Sequence, residues 1–113
     1  GKLGEFYARE AVVYIEHNYD KDITVEDIAR RCKLDRSYFG KVFKKAVGQS
    51  PQEFLIRYRM SKAADALIIG DDSVGDIGAS VGYPNLLHFS RAFKGVYGVS
   101  PREYRQKNKI IDR

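Results

Sequence analysis

The sequence contains little cysteine, little histidine and no long apolar segment. Cys32 is the single cysteine in 113 residues, which excludes an intrachain disulfide and a multi-cysteine zinc site. Only His17 and His88 supply imidazole, and they are far apart in the sequence, which argues against a metalloenzyme. No apolar run approaches the roughly 18 residues of a transmembrane helix, and no signal peptide is recognisable. These absences favour a cytoplasmic protein that needs no metal and no cofactor, and give no reason to expect a membrane.

The composition that remains is that of an ordinary folded domain. Hydrophobic residues make up 43% and charged residues 31%, which is enough apolar content to form a core. At this length we expect one domain, or two very small ones that share a helix. The net charge of +5 leans mildly toward an anionic partner. Because the chain begins with Gly1 instead of Met, we expect a fragment of a longer protein.

Two of the three prolines lie in matching positions about fifty residues apart. The segments Ser50–Glu53 and Ser100–Glu103 both have the pattern of a helix start, with a capping Ser, Pro at the first helical position and Glu three residues after the Ser. Gly48 and Gly98 precede them and are suited to end the previous helix. The same boundary pattern therefore occurs twice.

The match extends through the segments between these boundaries. Upstream the shift is forty-nine, so that Asp27 and Ile28 match Asp76 and Ile77, which places one extra residue of the second copy between positions 82 and 85. At a shift of fifty, aromatic and basic positions coincide: Phe39 with Phe89, Phe43 with Phe93, Lys41 with Arg91, and Lys44 with Lys94. Two copies of one supersecondary unit are indicated.

Each copy has the pattern of two short helices joined by a tight turn. Thr24 and Asp35 are the expected N-caps in the first copy, and Ser73 and Asn85 in the second. The second helix of each copy carries a stripe at helical spacing that we expect to be buried. The stripes are Tyr38, Phe39, Val42 and Phe43 in one copy, and His88, Phe89, Ala92 and Phe93 in the other.

Three further helices are expected, over about 3–17, 51–69 and 101–107, and Phe6, Val13 and Tyr14 belong to the first. No convincing β-strand pattern appears. The predicted fold is all-α with about seven helices, in which two helix-turn-helix subdomains are joined by a long central helix. The expected boundaries are about 5–50 for the first subdomain, 51–69 for the linking helix and 73–107 for the second.

A helix-turn-helix needs a small residue where its two helices approach, and a turn residue with positive φ. Ala29 and Gly78 occupy the first place, and Lys33 and Gly82 the second. Lys33 would bear a cost of about 1 kcal/mol in that conformation. The second helix must also present polar residues outward near its start, where base edges are reached.

Basic residues are concentrated around the second helix of the first copy. Residues 30–45 contain seven basic residues and a single acid, Asp35. This concentration is typical of nucleic-acid binding. Lys41 can donate to guanine O6 and N7, and Ser37 can contact a base or a phosphate.

Two segments resemble the AraC/XylS family of bacterial transcription regulators: residues 35–54, DRSYFGKVFKKAVGQSPQEF, and residues 81–104, VGYPNLLHFSRAFKGVYGVSPREY. The resemblance covers about residues 5–107. It implies sequence-specific binding of double-stranded DNA by two helix-turn-helix motifs in successive major-groove segments, separated by the long helix. The base-reading positions that it implies are Ser37, Gly40 and Lys41 in the first motif, and Leu86, Leu87 and Arg91 in the second.

The second motif departs from the family pattern, which often has polar residues where Pro84, Leu86 and Leu87 stand. A leucine offers at most an apolar contact with a thymine methyl group. We therefore expect specificity to rest mainly on the first motif and on Arg91. The expected contacts with the DNA backbone are Arg36, Lys44, Lys45, Asn85 and Lys94, with the three lysines also explicable as ordinary surface charge. Arg57, Arg59 and Lys62 are expected on a solvated face.

Two other functions are alternatives to DNA reading. A basic helical domain that binds an acidic protein partner is the alternative, although it would not require two matched helix pairs. An enzyme is disfavoured, because no nucleophile–base pair, carboxylate pair or glycine-rich phosphate loop is visible. The fragment is expected to be a monomer. The family resemblance implies a separate sensor domain through which the longer protein would dimerise, and RNA polymerase is a candidate partner.

Overall fold

The computed structural model describes residues 1–110, and these residues form seven α-helices and no β-strand. The all-α prediction with about seven helices is therefore confirmed. The helices are α1 (Lys2–Asn18), α2 (Val25–Arg31), α3 (Arg36–Val47), α4 (Pro51–Ile69), α5 (Val74–Ser80), α6 (Leu86–Tyr97) and α7 (Pro101–Asn108). Within the described residues, none of these helices combines the length and apolarity needed to cross a bilayer.

The helix boundaries follow from the capping residues. Each predicted N-cap side chain accepts a hydrogen bond from the backbone N–H three residues later, which satisfies one of the N–H groups that a helix start leaves unpaired. Gly48 and Gly98 end α3 and α6 in the left-handed conformation, with φ of 87° and 80°. The N-caps of α2 to α7 are Thr24, Asp35, Ser50, Ser73, Asn85 and Ser100.

The chain divides into two compact units, a first unit of Gly1–Leu55 and a second unit that begins at Ile56. In the first unit α1 packs against α2 and α3. The ring centroids of Phe39 and Phe43 lie 5.7 Å apart, and Phe54 meets Phe43 edge-on at 5.6 Å. The buried apolar residues of this unit are Ala8, Ala11, Ile15, Val25, Ile28, Ala29, Cys32, Phe39, Phe43 and Leu55.

The second unit packs α6 against α5 and α7. Phe93 is stacked with Tyr97 at 4.7 Å and meets Tyr104 of α7 edge-on at 5.4 Å. Two basic side chains at the end of the chain bind the carbonyl groups that close α4. Arg105 donates to Leu67 O at 3.0 Å, and Lys109 donates to Gly70 O while pairing with Asp71. These cations supply charge complementary to the helix C-terminus, whose own last turn has no basic residue.

The two tight turns form as predicted. Lys33 has φ of 59° and Gly82 has φ of 95°, so the left-handed turn position holds a lysine in one unit and a glycine in the other. A Cβ built on Gly78 would lie 2.8 Å from two ring atoms of Phe89, because α5 and α6 approach closely there. The prediction of a small residue at this crossing is confirmed.

Several burial predictions were wrong. Tyr38 is 51% exposed and His88 is also exposed, whereas both were expected in buried stripes. Each residue lies at the edge of its helix's apolar stripe, and a side chain at that edge faces solvent instead of the core. In α1, where no burial was predicted, Phe6 and Val13 are exposed, and Ala8, Ala11 and Ile15 form the buried face of the helix.

Arg59 is the opposite case, since it was expected on a solvated face and is only 8% exposed. Its guanidinium lies over the ring of Tyr83 at 5.6 Å from the centroid. A planar cation can be buried against an aromatic face in this way, and a helix pattern read locally contains no information on that distant partner.

Candidate nucleic-acid interface

Helix α3 carries a polar outward face opposite its buried phenylalanines. Ser37, Lys41 and Lys44 follow one another at spacings of four and three residues, so they lie along one line of the helix, and all three are exposed. Lys45 is exposed beside this line. We call these four residues the outward face of α3. The structure therefore brings together the predicted base contacts and two predicted backbone contacts of the first motif.

Helix α6 has the corresponding outward face, formed by Leu87, Arg91 and Lys94 at the same spacing. Leu87 is 57% exposed, so an apolar side chain stands where Ser37 stands on α3. Leu86 is exposed too, but it lies on a different edge of the helix and borders a hollow that is also lined by Val74 of α5 and Pro101 of α7. Leu86 is thus separated from the line that Leu87 shares with Arg91.

Arg36 is the first residue of α3, and its guanidinium forms an ion pair with Glu26 near the start of α2. Backbone hydrogen bonding at the helix start and the hydrogen bond from Arg36 lower the pKa of Glu26. Glu26 is a residue that the sequence reasoning missed. The sequence predicted that Glu26 lies in a helix. It did not predict the contact with Arg36, because that residue is ten positions away across a turn whose geometry only the fold defines.

The starts of α3 and α6 are built alike. Asp35 accepts from the N–H of Tyr38 at 3.0 Å, and Asn85 accepts from the N–H of His88 at 3.0 Å. A helix start leaves up to four N–H groups without intrahelical partners, and they point out of the helix end together with the positive end of the macrodipole. Both helices can therefore donate backbone hydrogen bonds to phosphate groups. Asn85 also retains the NH2 group of its side chain as a donor.

The two motifs differ strongly in charge. The window 30–45 contains seven basic residues, whereas the matching window 79–94 contains two, Arg91 and Lys94. Neither basic residue of the second window is balanced by an acid within that window. Of the two motifs, the first is therefore the more cationic and the second the more apolar.

The helix-turn-helix domain family matches this chain over residues 28–107, from within α2 of the first motif through the whole of the second motif. A lactose operon transcription activator from Staphylococcus xylosus is 42% identical over 97 residues, which are 86% of this chain and 35% of that protein. The chain thus spans about a third of the length of the curated relatives that it matches.

Solved structures show the same fold. The C-terminal domain of AraT, a response regulator from Geobacillus stearothermophilus, superimposes with a TM-score of 0.90 at 33% identity, covering 94% of this chain and 88% of that one. The DNA-binding domain of AdpA, a global transcriptional factor solved in complex with a target DNA, gives a TM-score of 0.83 at 28% identity, covering 88% and 90%.

The chain belongs to the AraC-type family of helix-turn-helix domains. It is a helix-turn-helix DNA-binding domain, and the predicted resemblance is confirmed.

Proposed function

We propose that the outward face of α3 reads base edges in the major groove of double-stranded DNA. The observation that carries this proposal is the alignment of Ser37 and Lys41 on the exposed side of a capped helix that also carries Lys44. Lys41 would donate to guanine O6 and N7, and Ser37 would contact a neighbouring base. Each good base contact of this kind discriminates by about 1–3 kcal/mol.

The second motif contributes a different kind of contact. Arg91 can form a bidentate pair with guanine, whereas Leu87 offers an apolar surface to a thymine methyl group. Leu86 reaches the groove only if its edge of α6 faces a base. We propose that α6 occupies the major-groove segment that follows the one read by α3, as in the arrangement that the family resemblance implies.

Sequence-independent affinity comes from contacts with the DNA backbone. We assign these contacts to Arg36, Lys44, Lys45, Asn85 and Lys94, which lie at the exposed starts or sides of α3 and α6. Each neutralised phosphate contributes about −0.9 to the slope of log K against log salt. The first motif supplies three of these five residues and should dominate the salt dependence.

For the whole protein we propose a cytoplasmic bacterial regulator that acts by binding DNA and catalyses no reaction. The relative at 42% identity is named an operon transcription activator, which supports a role in transcription and makes RNA polymerase a candidate partner. The domain alone is proposed to be monomeric. The longer protein would dimerise through a sensor domain, since the chain corresponds to about a third of its relatives.

Selection of bound sequences from a random duplex pool at physiological salt tests this function directly, because non-specific binding is weak under those conditions. Two enriched blocks about one helical turn apart would mean that both motifs read bases. One enriched block would restrict base reading to one motif and leave the other on the backbone. No enrichment, with little binding, would contradict the proposal and favour the alternative of an acidic protein partner.

A further inference from the structure

The ion pair between Glu26 and Arg36 lies at the start of the proposed DNA-reading helix. Arg36 is the first residue of α3, and Glu26 is the second residue of α2. Their side chains are 61% and 48% exposed, so the pair is open to solvent and to a large ligand. An ion pair this exposed is typically worth only about 0–1 kcal/mol, so a stronger competitor can break it.

The pair places a carboxylate where the proposed DNA complex would bring phosphates. Arg36 stands beside Ser37 at the end of α3 whose free N–H groups and macrodipole attract anions. In helix-turn-helix proteins the first helix crosses the DNA backbone while the start of the second enters the groove. Glu26, near the start of that first helix, already pairs with Arg36, so a phosphate bound by Arg36 would have to displace this carboxylate.

The second motif lacks both partners. Position 75, which matches Glu26 at the shift of forty-nine, is Gly75, and position 86, which matches Arg36 at the shift of fifty, is Leu86. The pair is consequently not required to build the helix-turn-helix, because α5 and α6 form the same two helices without it. Its presence in the more basic motif alone points to a role in DNA binding.

Resting on the proposed function, we propose that Glu26 acts as an internal phosphate mimic that competes with DNA for Arg36. In the free domain the carboxylate occupies the guanidinium, and on binding a backbone phosphate takes its place. Glu26 therefore weakens the affinity for every DNA sequence, because phosphate contacts are independent of sequence. This limits non-specific binding by the more basic of the two motifs.

The test is the variant Glu26→Gln, measured on a duplex selected from the random pool and on a scrambled duplex of equal length. We expect binding to tighten by roughly two- to fivefold on both duplexes, the range that an exposed ion pair supports. The salt slope should become steeper, because Arg36 is then fully available to a phosphate. In an Arg36→Ala background, the gain from Glu26→Gln should shrink.

Glu16→Gln is the matched control, because Glu16 is an exposed acid of the same unit and the substitution changes the net charge equally. Its gain should stay below about twofold, since screening weakens charges that do not contact the DNA. A decrease in affinity for Glu26→Gln would overturn the proposal and make Glu26 a residue that positions Arg36. A gain equal to that of Glu16→Gln, or one undiminished in the Arg36→Ala background, would also overturn it.

A second measurement is independent of affinity. NMR titration of the Glu26 side-chain carboxyl should show its pKa rising when DNA binds, because Glu26 then loses the contact with Arg36 that lowers this pKa. An unchanged or lower pKa in the complex would mean that the ion pair persists on DNA, against the proposal. If the unsubstituted domain selects no sequence and binds no duplex, the proposed function itself has failed, which is a separate result.

Discussion

The two recognition helices share one scaffold and differ in their chemistry. Both α3 and α6 have 12 residues, begin with a side-chain N-cap and end at a left-handed glycine. On the outward faces, Ser37 and Lys41 of α3 correspond to Leu87 and Arg91 of α6. Capping and core packing therefore define the helix pair, while the exposed positions are free to be polar in one copy and apolar in the other.

The turns show where the scaffold tolerates a change of length. Leu34 N donates to Ala29 O at 3.0 Å, and Tyr83 N donates to Gly78 O at 2.8 Å, so the turns correspond through these residues. Asp35 then caps α3 directly, whereas Pro84 intervenes before Asn85 caps α6. The extra residue therefore follows the last shared hydrogen bond of the turn, within the interval that the repeat alignment predicts.

The largest expected effect separates the two motifs by their base contacts. Lys41→Ala should weaken binding to the selected duplex by about 1–3 kcal/mol more than binding to a scrambled one. Arg91→Ala should have the same effect if α6 reads bases. Leu87→Ala should cost less, because an apolar contact with a methyl group is weaker than a bidentate pair. Dissociation constants on both duplexes provide the measurement. Equal losses on both would reduce Lys41 or Arg91 to a phosphate contact.

The second effect concerns the helix crossing, where the units carry Ala29 and Gly78. Gly78→Ala should destabilise the second unit by about 1–2 kcal/mol, because its Cβ would overlap the ring of Phe89. Gly75→Ala in the same helix is the matched control, since its Cβ would meet no atom within 4 Å beyond its chain neighbours and the adjacent helix backbone, and alanine favours the helix. Urea unfolding followed by circular dichroism measures both. Equal stabilities would mean that Phe89 adjusts without cost.

The third effect concerns the turns, where the left-handed residues Lys33 and Gly82 can be exchanged. Lys33→Gly should relieve a left-handed lysine and stabilise the first unit by up to about 1 kcal/mol, less the extra entropy of glycine in the unfolded chain. Gly82→Lys should cost the second unit about 1–2 kcal/mol for the opposite reason. Thermal unfolding of the two variants tests the pair. Changes of the same sign would show that the turns are not equivalent.

The smallest effect is a pH dependence in the first unit. The hydrogen bond from the backbone N–H of Thr24 lowers the pKa of Asp27, so its carboxylate stabilises the folded state above its usual pKa. That stabilisation is lost as pH falls through the lowered pKa, below about pH 4. Unfolding midpoints across this range should fall less steeply for Asp27→Asn than for the unsubstituted domain. Parallel profiles would exclude Asp27 as a contributor.

The elements that were predictable are those controlled by neighbours in the sequence. Ser50 and Ser100 cap helices because each bonds a backbone group only three residues away, and Gly48 ends α3 because its own φ is positive. The turn in each copy and the close helix approach at Gly78 were also predictable, since both follow from local residue types. The assignment of Ser37, Lys41 and Arg91 to base contacts stays a prediction.

The elements that were not predictable depend on distant partners. Tyr38 and His88 fit the apolar stripe by spacing, yet they lie at its edge, where packing against other helices decides between solvent and core. Arg59 has the sequence context of a surface residue but is buried beside Tyr83. The ion pair of Arg36 with Glu26 could not be predicted either, because it joins two helices across a turn.

By itself the sequence determined the helices, their ends and the repeat, because capping, periodicity and turn conformation act over three or four residues. The class of protein came from the resemblance of two segments to a known family. Only the tertiary structure decided which edge of α3 and α6 faces solvent and which charged groups meet. Those outcomes depend on contacts between residues that are brought together after the chain has folded, such as Arg105 with the carbonyl of Leu67.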